Sequence, residues 1–151
     1  MKFTPKKINR FLLFKLPLAF IAGIRVQEIS EKKAIVKVKH RWISQNPFKS
    51  MFWAVQGMAS ELSSGILVMQ AIVNSEKKVS MLVTQLNGNF FKKATGQIQF
   101  VCNDGVIIKN AIQQAVKTGE SQTVLVTSKG INQQGDVVAV FEFEWSLKLK
   151  G

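Results

Sequence analysis

The sequence predicts an α+β fold in which a mostly antiparallel sheet wraps around one long central helix. Three observations lead to this prediction. Residues 49–74 form an apolar segment of helical length, several other segments alternate apolar and polar residues as strands do, and the two kinds of segment do not alternate regularly along the chain. A parallel α/β fold requires that regular alternation. The long helix has almost no polar face, so we expect it to be buried on nearly all sides.

Residues 1–22 predict an N-terminal lead-in helix. Thr4 followed by Pro5 is typical of an N-cap with proline at the first helical position. Three apolar residues are predicted to share one side of this helix: Phe11, Leu12 and Phe14. A basic start followed by apolar residues resembles a signal peptide, but Lys15 and Pro17 interrupt the apolar stretch. We therefore predict an amphipathic helix that ends at Pro17 and leads into a soluble domain.

Six segments are predicted strands. They cover residues 24–29, 34–42, 79–91, 97–103, 120–131 and 137–149. The last segment alternates most clearly, with apolar residues at every second position. Gly88 marks the expected position of a bulge. A second helix is predicted at residues 106–118, closed by Gly119.

Length and composition predict one domain of residues 1–151. The chain is 46% hydrophobic and 20% charged, which is typical of a globular protein with a sizeable core. Its one cysteine, Cys102, cannot form an internal disulfide and alternates with apolar neighbours, which favours a core position and a reducing cytoplasm. Since no segment is long and uncharged enough to span a bilayer, no membrane is expected among the partners.

The formal net charge of +12 is spread along the whole chain. Such a surface attracts polyanions in general, although solubility alone also accounts for it. A nucleic-acid-binding module is the weakest hypothesis, because aromatic residues are not interleaved with the lysines in a recognisable motif. Metal-ligand spacing and glycine-rich phosphate loops are absent, so we predict no metal and no cofactor.

Glu61 is the acid that interrupts the long apolar segment, and no other acid occurs between residues 31 and 76. Trp53, Gly57, Glu61 and Gly65 recur at intervals of four and therefore share one stripe of the helix. A carboxylate buried on such a stripe pairs with a basic group, of this or a partner subunit, or its pKa rises. A carboxylate with a raised pKa on a rigid helix suits general-base catalysis.

The start of the same helix offers a second feature. Backbone N–H groups near residues 52–54 lack helical partners and can polarise a carbonyl or stabilise an oxyanion. The one histidine, His40, lies on the apolar face of a predicted strand, which favours a core or interface position over a catalytic one.

The element order and the segment NPFKSMFWAVQGMASELSSG, residues 46–65, resemble the hotdog fold. More specifically, they resemble a cytoplasmic branch of unknown function related to the phenylacetate-pathway type of acyl-CoA thioesterase. In such thioesterases a His-Gly pair opens the central helix, an Asp or Glu lies nine residues after the His, and an Asn or Gln lies six residues before it. Here Phe52 and Trp53 stand at the His and Gly positions, Glu61 at the acidic position and Asn46 at the amide position.

The resemblance implies an acyl-CoA thioesterase in which Glu61 is the general base or nucleophile. It also implies that the N–H of Trp53 polarises the carbonyl and that Asn46 orients the water or the base. The residues expected to contact the substrate are Phe52, Trp53, Ala54, Ser64 and Gly65. Phe52 cannot do the chemistry of a histidine, so a non-catalytic acyl-thioester-binding hotdog protein is the alternative.

Two further expectations come from the resemblance. Lys92 and Lys93 stand at the turn where hotdog thioesterases place basic residues near the coenzyme A phosphates, although a pair of lysines at a strand end is commonly just a solvated turn. Hotdog protomers generally pair their sheets edge to edge, which implies a homodimer or homotetramer with coenzyme A thioesters as substrates.

Overall fold

A computed structural model places residues 2–151, the part of the chain that it describes, in an antiparallel sheet around a long helix. The helices in this part are α1 (Pro5–Lys15), α2 (Pro17–Ile21), α3 (Trp53–Ser75) and α4 (Gly105–Thr118). The strands are β1 (Arg25–Ile29), β2 (Ala34–Lys39), β3 (Val79–Phe90), β4 (Gln97–Cys102), β5 (Gln122–Ile131) and β6 (Val137–Leu149). Across the sheet they follow the order β1-β2-β4-β5-β6-β3, and each neighbouring pair is antiparallel. The predicted α+β architecture is therefore confirmed.

The core lies between α3 and the inner face of the sheet. Phe100, Phe141, Ile66 and Leu67 are almost completely removed from solvent there. Each such side chain contributes about 1.5–3 kcal/mol to folding through burial. Cys102 is also fully buried, as predicted, and this burial raises the pKa of its thiol to about 12.

The central helix begins four residues later than predicted. Residues 46–50 form a tight loop, in which Lys49 has a positive φ of 63°, and the helix begins only at Trp53. It ends at Ser75, where Glu76 takes the left-handed conformation with φ 58°. The expectation of burial on nearly all sides is wrong for its first half, since Trp53 and Glu61 are exposed.

The second predicted strand is too long. β2 ends at Lys39, because the Ser44 hydroxyl donates to the carbonyl of Lys39 and accepts from the N–H of Arg41, which turns the chain into a short 3₁₀ helix, Trp42–Ser44. Trp42 is 83% exposed instead of lying on an apolar strand face. His40 lies beyond the strand and is half-buried.

The bulge in β3 lies at Thr84, between Val83 and Gln85, and not at Gly88. The Thr84 hydroxyl donates to the Glu144 carboxylate at 2.8 Å, which fixes the extra residue against β6. A bulge shifts the alternation of a strand by one residue. It therefore turns Leu86, Gly88 and Phe90, instead of their polar neighbours, toward the helix side of the sheet. These three residues pair with Phe143, Phe141 and Ala139.

Residues 1–22 were predicted to contain one helix, and the structure has two, α1 and α2. The Thr4 hydroxyl caps α1 by accepting from the N–H of Lys7 at 3.2 Å, as predicted. The prediction that Leu12 and Phe14 share a side of this helix is wrong, because side chains two positions apart in a helix point about 200° away from each other around the axis. Leu12 is fully buried and Phe14 is 73% exposed.

Candidate functional site

The exposed part of α3 faces an uncovered strip of the inner sheet surface. We call this region the edge trough and define it by the residues Trp53, Gly57, Glu61, Leu86 and Phe90. Leu86 and Phe90 are 56% and 50% exposed, although the bulge turns them toward the helix side. Within residues 2–151, β3 pairs only with β6, so the trough lies beside an open sheet edge.

Two contacts with β6 position α3 along the trough. A Cβ atom at Gly57 of α3 would lie 3.9 Å from Cε1 of Phe141, and one at Gly88 of β3 would lie 3.0 Å from the same carbon. Eight residues further along the helix, a Cβ atom at Gly65 would lie 3.5 Å from the Trp145 ring. Eight helical residues span about 12 Å, which matches the roughly 13 Å from Phe141 to Trp145 along a strand.

Glu61 lies midway between these two contacts, at the level of the Phe143–Leu86 pair. Within residues 2–151 its carboxyl group has no hydrogen-bond or ion-pair partner. The side chain is exposed in the single chain, yet the surrounding protein desolvates the carboxyl enough to raise the pKa of Glu61 above its ordinary value. The helix thus presents an unpaired acid with a raised pKa to the edge trough.

The N-terminus of α3 supplies hydrogen-bond donors at one end of the trough. Within the described residues, the backbone N–H groups of Trp53 and Ala54 have no hydrogen-bond partner. Phe52 is the N-cap, but its side chain offers no capping oxygen. The Phe52 and Trp53 rings are 44% and 56% exposed and meet edge to face, with centroids 6.0 Å apart. The start of α3 thus offers two free N–H donors, as an oxyanion site requires.

The Asn46 side chain is engaged inside the loop that precedes α3. Its Oδ1 accepts from the N–H of Phe48 at 2.8 Å, and its Nδ2 donates to the Ser50 hydroxyl and to the carbonyl of Met51. Both amide hydrogens are therefore used. In this conformation Asn46 holds the loop that leads to the helix N-terminus and has no hydrogen left to orient a water.

Ser64 and Gly65, expected to contact the substrate, are both buried. The Ser64 hydroxyl donates to the carbonyl of Glu61 at 3.0 Å and accepts from the indole N–H of Trp145 at 3.0 Å. Gly65 packs on the same indole ring. These residues hold the helix on β6 in the single chain, and direct substrate contact by Ser64 and Gly65 stays a prediction. Ala54 is half-buried behind the aromatic pair.

The two lysines of the β3–β4 turn have different surroundings. The Lys92 ammonium pairs with Asp136 at 2.7 Å, and this hydrogen bond lowers the pKa of Asp136. The Lys93 ammonium donates to the carbonyl of Phe48 at 3.0 Å, in the loop before α3. The bond to Phe48 places Lys93 close to the start of α3. Because Lys93 is exposed and its ammonium retains two further N–H donors, it can bind an anion there.

The sequence did not point to Leu86, Phe90 or Phe141 as site residues. The apolar residues of the segment 79–91 do alternate with polar ones, and this alternation shifts by one residue at one point. Only the pairing of β3 with β6 shows that the shift lies at Thr84. A separate concavity of about 430 Å³ lies at the other end of α3, near Asn74 and Lys109, and contains none of the predicted site residues. No metal-binding cluster of His, Cys, Asp or Glu occurs within residues 2–151.

A long helix wrapped by an antiparallel sheet is the architecture of the hotdog fold. The chain belongs to the family described as "Domain of unknown function (DUF4442)", whose model matches residues 4–147. No protein with a curated description matches the sequence.

Solved structures support the same fold. A Pseudomonas aeruginosa protein of unknown function, described as a probable thioesterase, is 18% identical, with a TM-score of 0.80 and 97% of both chains covered. A thioesterase from Haemophilus influenzae is 11% identical, with a TM-score of 0.73 over 99% of this chain and 93% of that one. A Staphylococcus aureus thioesterase, solved with a glutamine replaced by alanine, is 14% identical, with a TM-score of 0.69 over 87% of this chain and 98% of that one. At these identities the likeness shows the fold.

Proposed function

We propose that this protein hydrolyses acyl thioesters, with acyl-CoA as substrate and Glu61 as general base or nucleophile. One observation carries the proposal: Glu61 presents an unpaired carboxyl with a raised pKa in an apolar trough. A carboxylate whose pKa is raised toward neutrality is a better proton acceptor at the pH where it works. The apolar lining from Leu86 and Phe90 suits an acyl chain.

The hydrolysis can follow either of two routes. In the base route, the Glu61 carboxylate takes a proton from water as the water oxygen attacks the thioester carbonyl. The N–H groups of Trp53 and Ala54 stabilise the oxyanion, the C–S bond breaks, and the thiolate takes up the proton. In the nucleophile route, the carboxylate attacks the carbonyl, expels the thiolate and forms an anhydride. Water then cleaves the anhydride to the acyl carboxylic acid and the Glu61 carboxylate, and the thiolate takes up the remaining proton of that water.

Helix geometry favours a site built from two protomers. Trp53 and Glu61 are eight residues apart on α3, which is about 12 Å along the helix axis. A thioester carbonyl held by the N–H of Trp53 is therefore out of reach of Glu61 in the same chain. A second copy, with its α3 antiparallel to the first, brings its Glu61 to that carbonyl. The open β3 edge and the exposed Leu86 and Phe90 are the surface on which this homodimer forms.

A feature of the Staphylococcus aureus thioesterase supports the choice of residues. Its structures were solved with alanine in place of one glutamate and, separately, in place of a glutamine fifteen positions earlier. Asn46 and Glu61 are also fifteen positions apart. We propose that Asn46 acts by fixing the loop before α3, and that Lys93, with Lys92 behind it, binds the coenzyme A phosphates as a point charge.

Thiol release tests the proposal. Wild-type protein and the Glu61→Gln variant are assayed with short, medium, long and aryl acyl-CoAs, and Glu76→Gln serves as the matched control because Glu76 ends the same helix. We expect turnover in the wild type and the control, and a loss of at least about 100-fold in Glu61→Gln. Equal turnover in Glu61→Gln, with the helix content unchanged by circular dichroism, contradicts the role of Glu61.

The second candidate function is non-catalytic binding of acyl thioesters. The aromatic pair favours it, since Phe52 and Trp53 occupy the opening of α3 and Phe52 offers no proton-transfer group. In that case acyl-CoA quenches the fluorescence of Trp53 in the wild type and in Glu61→Gln alike, and no thiol is released from any substrate.

A further inference from the structure

The junction between α1 and α2 carries an unusual set of exposed apolar side chains. We call this set the apolar corner. It consists of Leu13, Phe14, Leu16, Leu18 and Ile21, which are 44–73% exposed. Contiguous exposed apolar surface of this kind marks a site of interaction. Ile8, Leu12 and Ala19 are buried and anchor the two helices, so the corner is not a frayed terminus.

Cations flank the apolar corner along α1. Lys6, Lys7 and Arg10 are exposed, and helical spacing places them on the same outward side as Leu13 and Phe14. They precede the apolar pair by three to eight residues, or roughly 5–12 Å along the axis. The sequence has no acid before Glu28.

A basic groove adjoins the corner on its other side. It has a volume of about 260 Å³ and begins at Gly23, two residues after Ile21. Four cationic residues line it: Arg25, Lys37, Lys39 and Arg41. Its other lining residues, within the described part of the chain, are Gly23, Val38 and Gln97, so no carboxylate offsets these charges.

The two arginines of the groove are held in place by neighbouring groups. The Arg25 guanidinium stacks on the Phe20 ring at 3.6 Å and donates to the carbonyls of Phe20 and Ile24 at 2.8 Å. The Arg41 guanidinium packs against Gly23, where φ is 88° and any side chain would collide with it. Partial burial and, second, the charge of Arg41 lower the pKa of Arg25. Two guanidinium groups kept close together without an acid form a site for an anion.

We propose that this face docks on an anionic phospholipid surface, with the apolar corner among the acyl chains and the basic groove on the lipid phosphates. Apolar side chains beside lysines and arginines are the combination that binds interfacially. A second copy of this chain fits less well, because a symmetric contact would bring the cations of one copy against those of the other. The lack of a membrane-spanning segment had predicted no membrane partner. That prediction did not take into account the exposed side chain of Phe14, which was expected on the same side of the helix as Leu12.

Vesicle flotation tests this inference, and its result does not depend on thioesterase activity. The full chain is mixed with vesicles of phosphatidylcholine alone or with equal phosphatidylglycerol. We expect binding to the anionic vesicles only, weakened by salt. Lys37→Gln with Lys39→Gln should weaken it by about five-fold for each charge removed. Phe14→Ser with Leu18→Ser should weaken it by at least about ten-fold.

Matched control pairs distinguish binding through this face from non-specific binding caused by net charge or by exposed apolar surface elsewhere. Lys109→Gln with Lys117→Gln removes two exposed charges from α4, and Val106→Ser with Leu125→Ser removes two exposed apolar side chains elsewhere. The controls should bind nearly as the wild type does. Equal losses in the control pairs, or no binding to anionic vesicles, overturn the proposal. So does a dimer that Phe14→Ser with Leu18→Ser dissociates in light scattering, or a groove that binds inorganic phosphate while vesicles stay unbound.

Discussion

Gly88 faces Phe141 across the β3–β6 ladder so closely that a Cβ atom at position 88 would lie 3.0 Å from the phenyl ring. Phe141 is almost fully buried, and its ring stacks on Phe143 with an interplanar angle of 9°. Gly57 of α3 approaches the same ring carbon from the helix side, at 3.9 Å for its Cβ position. The floor of the edge trough therefore depends on one aromatic ring held between two glycines.

The two glycines should respond oppositely to alanine. Gly88→Ala crowds a ring that has little room to move, and we expect a loss of about 1–3 kcal/mol in the free energy of unfolding. Gly57→Ala adds a methyl group at ordinary contact distance and improves helix propensity, for a gain of about 0.5–1 kcal/mol. Urea unfolding of both variants measures this. A loss for Gly57→Ala as large as that for Gly88→Ala would show that the helix is seated more tightly on Phe141 than described.

Ser64 should matter for stability and not for substrate binding. Ser64→Ala leaves the indole N–H of Trp145 buried without an acceptor, which costs about 1–3 kcal/mol. Ser60→Ala is the matched control, because the Ser60 hydroxyl only donates to the carbonyl of Gly57 in its own helix, and its loss should be smaller. Unfolding curves give both values. A higher KM for Ser64→Ala, with stability unchanged, would restore Ser64 to the substrate site.

The raised pKa of Glu61 predicts the pH dependence of activity. In the proposed mechanism the carboxylate is the active form, so the rate should rise with pH through the pKa of Glu61, at a midpoint above the ordinary value of 4.5. A kcat/KM profile across acidic and neutral pH measures the midpoint. Glu61→Asp, which keeps a carboxylate, should keep an acidic limb, and a wild-type profile that is flat below neutrality would argue against this assignment.

The raised pKa of Glu61 also affects stability, which should fall with rising pH where activity rises. A carboxyl whose folded pKa lies above its unfolded pKa binds a proton more tightly in the folded state. Stability therefore falls as pH rises through the interval between the unfolded and the folded pKa of Glu61. In Glu61→Gln this contribution disappears, so its unfolding free energy should depend less on pH between acidic and neutral conditions than that of the wild type.

Mixed dimers test whether one site uses two chains. Trp53→Pro removes the backbone N–H at the first helical position, where proline fits, and Phe52 already has the extended ψ of 135° that precedes a proline. Trp53→Pro and Glu61→Gln should each be inactive alone. After the two are unfolded and refolded together, half of the dimers are mixed and hold one complete site of two, which restores about a quarter of wild-type activity.

The control for this experiment is Trp53→Ala, which keeps the N–H and removes the ring. It should retain turnover, which separates loss of the donor from loss of the indole. If mixing restores nothing while light scattering shows dimers, Trp53 and Glu61 do not meet at a site shared between protomers.

The sequence was sufficient to predict the fold class and most of the elements. The strand of residues 137–149 was predicted to its ends, and the helix of residues 49–74 was predicted to within one residue at its C-terminal end but four residues too early at its start. Local polar contacts could not be predicted from periodicity. The Asn46 side chain delays the start of α3, and the Ser44 hydroxyl ends β2 early, since each competes with the backbone for its hydrogen bonds.

The sequence by itself determined that Glu61 is the lone acid of a long apolar helix, at the spacing of a hotdog thioesterase from Asn46. Only the tertiary structure decided which neighbours Glu61 has. The bulge at Thr84 turns Leu86 and Phe90 to the helix side, and the indole N–H of Trp145 donates to the Ser64 hydroxyl. The reason is physical: periodicity shows which face of one element is apolar, whereas a site depends on the register between elements, and register is set by contacts between residues far apart in the chain.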